Sequence, residues 1–134
     1  MADGDRDVVV VYRGGRAPQH VTHVRIDKSV EVIEEDAFNG CKHLVQVDAH
    51  DRIRKVGWGA FYGCESLRSI DLRSVVDEIG MEAFHDCENL VVVKFGDKLE
   101  TIGWRAFDEC ISQSVSISHA SLWLDQKLSG PARP

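Results

Sequence analysis

The sequence predicts an α/β repeat: a short, curved, right-handed solenoid with a parallel sheet on one face and short helices on the other. Three observations carry the prediction. Ala-Phe recurs at Ala37-Phe38, Ala60-Phe61, Ala83-Phe84 and Ala106-Phe107, each step being 23 residues. Cys41, Cys64, Cys87 and Cys110 keep the same step, and so do Ile33, Val56, Ile79 and Ile102. A period in the range of about 20–50 residues, held across several columns, is the mark of stacked repeats.

The elements follow in chain order. Residues 1–20 form an N-terminal strand and turn cap: "DVVVVY" (Asp7 to Tyr12) reads as a strand, and Gly14-Gly15 as the turn of a hairpin-like entry. Residues 21–111 are the period-23 repeats. In the copy starting at Leu67, "LRSIDL" alternates apolar and polar residues, as a strand with one buried face does. Four such strands are expected at Val21–Ile26, Leu44–Ala49, Leu67–Leu72 and Leu90–Phe95. "RSVVDEIG" then turns, with Val76 and Ile79 directed inward. Gly57, Gly80 and Gly103 share a column that marks either a bend a side chain would hinder or a positive φ. Ala83, Phe84, Cys87 and Leu90 fall at offsets of one, four and seven, the stripe of a two-turn helix. Stacked copies cover one another's apolar sides, with strands about 4.8 Å apart and the phenylalanines in an axial ladder. Residues 112–134 are read as a degenerate last coil, with an imperfect fifth strand around Ile111, Val115 and Ile117. A tail follows whose Leu122, Trp123, Leu124 and Leu128 can cap the stack, and whose end is disordered.

Composition narrows the function. The chain has 134 residues, 43% of them hydrophobic, enough for one domain with a core. A net charge of -6 argues against nucleic acid, which calls for a basic face. No run of eighteen apolar residues predicts membrane insertion, and the acidic start does not read as a secretory signal. The expected location is cytoplasmic or otherwise intracellular, with the cysteines as thiols.

The pattern L-x-x-[VI]-x-[LAF]-x-x-x-[VIL]-x-x-[IV]-G-x-x-A-F-x-x-C, plainest in "LRSIDLRSVVDEIGMEAFHDC", resembles the BspA-type leucine-rich repeat over about residues 21–111. The column that carries Asn or Cys in ordinary leucine-rich repeats reads Ser29, Arg52, Val75 and Lys98, so no asparagine ladder is expected. Glu34 replaces the column glycine and Ala49 a larger aliphatic, which loosens the early coils. The resemblance implies a curved leucine-rich-repeat solenoid used for binding, without naming a ligand.

Function then falls to positions that vary between copies. On the open sheet face one column reads His23, Gln46, Ser69, Val92; a second Arg25, Asp48, Asp71, Lys94; a third Asp27, His50, Arg73, Gly96. The second column places Arg25 beside Asp48 and Asp71 beside Lys94. Such pairs are either solvated cross-strand contacts worth about a few tenths of a kcal/mol each or a mixed-charge platform for an unidentified protein partner. Trp58 and Trp104 share a column with Glu35 and Met81, and are either interface anchors or rings partly buried between coils.

Cys41 with His43, and His85 with Cys87, suggest a metal site. Zinc ligands cluster at C-x2-4-C or H-x3-5-H spacings, however, whereas each of these cysteines belongs to a 23-residue column, and a columnar buried cysteine acts as a small hydrophobe. No cofactor is expected. No G-x-S-x-G, P-loop, H-E-x-x-H or G-x-G-x-x-G motif occurs, and four equivalent cysteines single out no nucleophile, so an enzyme is not expected. The sequence thus supports a non-catalytic protein-interaction module. A structural or truncated array without a ligand is the alternative, thiol-dependent metal binding a third reading, and self-association through an uncapped C-terminal end a further possibility.

Overall fold

The structure is a computed structural model that describes residues 7–73 and 76–110. Among the described residues nine short strands run β1 Val9–Tyr12, β2 His23–Ile26, β3 Val32–Ile33, β4 Gln46–Asp48, β5 Lys55–Val56, β6 Ser69–Leu72, β7 Glu78–Ile79, β8 Val92–Phe95 and β9 Thr101–Ile102. All pairings are parallel, in the orders β1-β2-β4, β6-β8 and β3-β5-β7-β9. The result is a parallel-sheet solenoid.

The four expected strands are present as β2, β4, β6 and β8, each paired with the residue 23 positions on where a ladder exists, as in Val24 with Val47 and Ile70 with Val93. The turning segment carries more order than its sequence suggests. Its inward aliphatics Ile33, Val56, Ile79 and Ile102 lie on a second parallel ladder.

Behind the sheets the repeated columns fill the core. Phe38, Phe61 and Phe84 are fully buried. Neighbouring phenylalanine rings stack at 5.1–5.2 Å between centroids, within 10° of parallel, from Phe38 through Phe61 and Phe84 to Phe107. Tyr12 closes the N-terminal end of this ladder, its ring 4.9 Å from Phe38, and its hydroxyl donates to the Gly15 carbonyl at 2.8 Å.

The helices expected behind the sheet are not formed: no helix occurs among the described residues. The segment from Gly57 to Cys64 shows why. Ala60, Tyr62 and Cys64 donate their N–H groups locally, three residues back, to Gly57, Gly59 and Phe61. Gly59, Phe61 and Gly63 donate instead to Met81, Ala83 and His85 of the next coil. An α-helix needs every interior N–H for the carbonyl four residues back. Here every second one is spent between coils. The alternation requires left-handed residues at two columns, Asp36, Gly59, Glu82, Arg105 and Gly40, Gly63, Asp86, Glu109, all with φ between 55° and 79°. Two such residues four apart cannot sit inside a right-handed helix.

The N-terminal entry also differs from expectation. β1 pairs with β2 in parallel, Val9 with His23 through Tyr12 with Ile26, so the entry is a partial coil and not a hairpin. The expected fifth strand, the tail cap, its disordered end and the self-associating C-terminal end lie outside the described residues. Among the described residues no helix is long and apolar enough to cross a membrane.

Candidate functional site

The sheet face carrying the variable columns is interrupted at one seam. β4 lies against β6, but the two are not joined in one ladder. The cause is local. Ile26, Leu72 and Phe95 fill the core at the last position of their strands, each 2% exposed or less. Ala49 stands in that column, only half-buried, and β4 ends one residue short at Asp48. A methyl group cannot pack where an isobutyl or phenyl group does, and the strand pair opens. An open groove of about 790 Å³ lies there. Asp48, His50, Asp71 and Arg73 line it with Lys28, Asp51, Val47 and Ala49.

Four of the candidate residues therefore meet in one place, Asp48, His50, Asp71 and Arg73. Arg73 grips Asp71 at two points, Nε to Oδ1 at 3.0 Å and Nη2 to Oδ2 at 2.9 Å, and this holds the Asp71 carboxyl below the usual carboxylate range. The Asp48 carboxylate accepts from Gln46 Nε2 at 2.9 Å. His50 Nδ1 accepts the Arg52 N–H at 3.0 Å, closing the turn after β4. Asp27 does the same one coil earlier for the Ser29 N–H at 3.1 Å. These two side chains bond the turn backbone in the absence of an asparagine ladder. With Nδ1 accepting, a neutral His50 ring carries its proton on Nε2. That buried atom has no hydrogen-bond partner among the described residues. A buried donor left unpaired costs about 1–3 kcal/mol.

The expected register holds, with Arg25 opposite Asp48 and Asp71 opposite Lys94. The expected ion pairs do not form. Asp71 pairs within its own strand segment with Arg73, and among the described residues neither Arg25 nor Lys94 has an ion-pair partner. His23 lies at the start of β2, its Nδ1 2.9 Å from the Thr22 hydroxyl, and Ser69 is exposed at the start of β6. Trp58 and Trp104 lie in the turn segments behind the strands, 51% and 42% exposed, with Met81 between them in the stack. The Arg105 guanidinium covers the Trp104 ring at 5.1 Å. The indoles do not line the groove. His50's turn-closing role was not visible in sequence, because its neighbours in the column are Asp27, Arg73 and Gly96.

The cysteines are structural. Cys64, Cys87 and Cys110 donate their thiols to the carbonyls of Phe38, Phe61 and Phe84 in the preceding coil, at 3.1–3.2 Å. Cys41 reaches Pro18 at 3.6 Å. All four are free thiols. Burial pushes every one upward, Cys110 to about 11 and Cys64 and Cys87 well above the ordinary thiol range. Thiolate chemistry is correspondingly suppressed. With Ellman's reagent, the folded protein is expected to react slowly and at half-buried Cys110 first, whereas all four thiols react in guanidinium. Rapid native reaction at Cys64 or Cys87 would contradict this packing.

No group of three or more His, Cys, Asp or Glu side chains able to hold a metal occurs among the described residues. His85 turns away from Cys87: its ring stacks on Tyr62 at 4.8 Å, and its Nε2 lies 3.3 Å from Arg105 Nη2 and 3.6 Å from Asp108 Oδ2.

Coils related by a fixed step, each handing its backbone bonds to the next around one unbroken core, define a repeat solenoid. The sequence pattern of the BspA type leucine-rich repeat region matches residues 17–125 in six copies. The chain belongs to that family, whose members are commonly protein-interaction modules and generally non-enzymatic. Among curated proteins none matches in sequence. Solved structures do. A leucine-rich repeat protein from Bacteroides ovatus is 29% identical with a TM-score of 0.73, covering 79% of this chain and 30% of its own. The T. pallidum leucine-rich repeat protein is 30% identical with a TM-score of 0.71, covering 81% and 51% respectively. A leucine-rich cell surface protein from Faecalibacterium prausnitzii shares the fold at 23% identity and a TM-score of 0.67, covering 89% and 38%. The chain thus spans between about a third and a half of the length of these proteins.

Proposed function

We propose that the chain is a non-catalytic module that binds another protein through the exposed face of β2, β4, β6 and β8, centred on the groove between β4 and β6. The observation that carries this reading is the interrupted ladder. In a repeat whose coils otherwise match, one seam opens and collects charged, variable side chains. The exposed Asp48 and Asp51 accept from the partner's basic groups. Arg25 and Lys94 flank the groove on neighbouring strands and extend the surface. Trp58 and Trp104 belong to a separate stripe on the turn side.

The double variant Asp48→Lys/Asp71→Lys tests this reading in a crosslinking pull-down from the source cells. The partner recovered by the wild-type chain and by an Arg54→Glu control is expected to be lost from the double variant, with the far-UV circular dichroism of all three unchanged. Equal recovery by the double variant removes the groove from the interface. Absence of any specific partner favours the second reading, an array without a ligand of its own.

A further inference from the structure

We infer that the outer edge of β1 is a dimerisation edge, on which a second copy of this chain pairs antiparallel about a two-fold axis through Val10. Among the described residues β1 is paired on one side alone. Val8 and Tyr12 direct their carbonyls to β2, accepting from Thr22 and His23 and from Asp27 at 2.9–3.1 Å. Since backbone groups alternate sides along a strand, Val9 and Val11 present N–H and C=O to the opposite edge. Among the described residues no strand pairs there.

The edge is built to be extended. Solitary edges are usually blunted by lysine, proline or a bulge. Val8 to Tyr12 contains none of these: it is four valines and a tyrosine. Val9, at 68%, is the most exposed large apolar residue described, and its neighbour Val8 is also exposed, at 37%.

The flanking charges identify the occupant. Only the odd-numbered residues face the free edge, so an antiparallel copy must set odd against odd. With the axis at Val10, Val9 faces Val11 of the second copy in a hydrogen-bonded pair, and Val11 faces its Val9. Asp7 then stands opposite Arg13 of the second copy, and Arg13 opposite its Asp7. Centring on Val11 keeps the parity but loses both charge pairs; centring on Val9 loses the Asp7 and Arg13 pairing and by sequence count brings Arg13 level with Asp5, a register in which Asp7→Arg would have no effect. Asp7 and Arg13 are free to turn to this use: their side chains are 65% and 71% exposed, with only 3.9 Å contacts to His23 and Asp27. A two-fold axis makes the patch self-complementary and joins β4-β2-β1 of each copy into one continuous sheet. This edge lies at the opposite end of the stack from the groove seam's later coils, and it leaves the groove accessible.

Sedimentation velocity across a concentration series tests the inference. The wild-type mass is expected to rise from the 15.0 kDa chain toward twice that value. Asp7→Arg or Arg13→Asp alone sets like charges together twice per dimer and raises the dissociation constant about tenfold or more. The double variant Asp7→Arg/Arg13→Asp returns it to the wild-type value. Val9→Lys, at a side chain that contributes nothing to the monomer core, weakens the dimer while circular dichroism stays unchanged. The inference is overturned by a chain that remains monomeric, by a dimer indifferent to these variants, or by a double variant no better than the single ones.

Discussion

Phe61→Ala is expected to lower the free energy of unfolding by about 3–5 kcal/mol, the range for truncating a fully buried phenylalanine. Its ring is 0% exposed and stacked on both sides, 5.1 Å from Phe38 and 5.2 Å from Phe84. Domains of this kind have about 5–15 kcal/mol in total, so one truncation removes a large share. Position in the stack matters as much as burial. In a solenoid each coil contacts only its neighbours, and a cavity at Phe61 weakens two coil interfaces together. Among the described residues Phe107 is only half-buried, stacked on Phe84 and meeting Phe95 edge-on at 6.0 Å. Urea unfolding should therefore show a much larger loss for Phe61→Ala than for Phe107→Ala, with a broader transition as the coils on either side uncouple. Equal losses would mean that the ladder does not transmit stability along the axis.

Gly80→Ala is expected to cost about 3 kcal/mol or more, at the upper end for overpacking a tight core, although it adds a single methyl. Its Cβ would stand 2.7 Å from the Gly57 carbonyl carbon and the Trp58 nitrogen. Both atoms are backbone and belong to the preceding coil, so no side chain can swing aside and the ladder between β5 and β7 must open. Gly103→Ala meets the same obstacle, with Met81 N at 2.4 Å. These glycines have no positive φ; close approach of two coils is what requires them. Glu34 shows the converse. It occupies the same column in the first coil, where the Tyr12 hydroxyl, 3.4 Å from its N–H, stands in place of a preceding backbone. Glu34→Gly should leave thermal stability nearly unchanged, while Gly80→Ala lowers the melting temperature by many degrees. A tolerated Gly80→Ala would show that the coils are not in the contact described.

Much of this architecture was legible in the residues. The 23-residue columns placed the strands β2, β4, β6 and β8, the register of Arg25 on Asp48, and the stacked phenylalanines, because a repeated sequence obliges equivalent residues to meet. The helical reading failed for an identifiable reason. Ala83, Phe84, Cys87 and Leu90 recur every three to four residues, and a chain of turns closed by i to i−3 bonds buries the same stripe as a helix does. Periodicity reports which side chains face inward and not where the N–H groups go. The left-handed columns were masked too, since glycine at Gly59 and Gly63 gives way to Glu82, Asp86, Arg105 and Glu109 in later copies. The second ladder escaped because two-residue strands such as Glu78–Ile79 are too short to show alternation.

The sequence by itself determined the repeat, its period, the membership of the core and the family, because all of these are properties of spacing and side-chain type. Tertiary structure alone decided that backbone bonds run between coils and not along helices, and that Asp71 takes Arg73 in place of Lys94. It also decided that the sheet parts at Ala49. Each of these is a competition between partners at ångström range, and its outcome depends on where neighbouring coils finally sit.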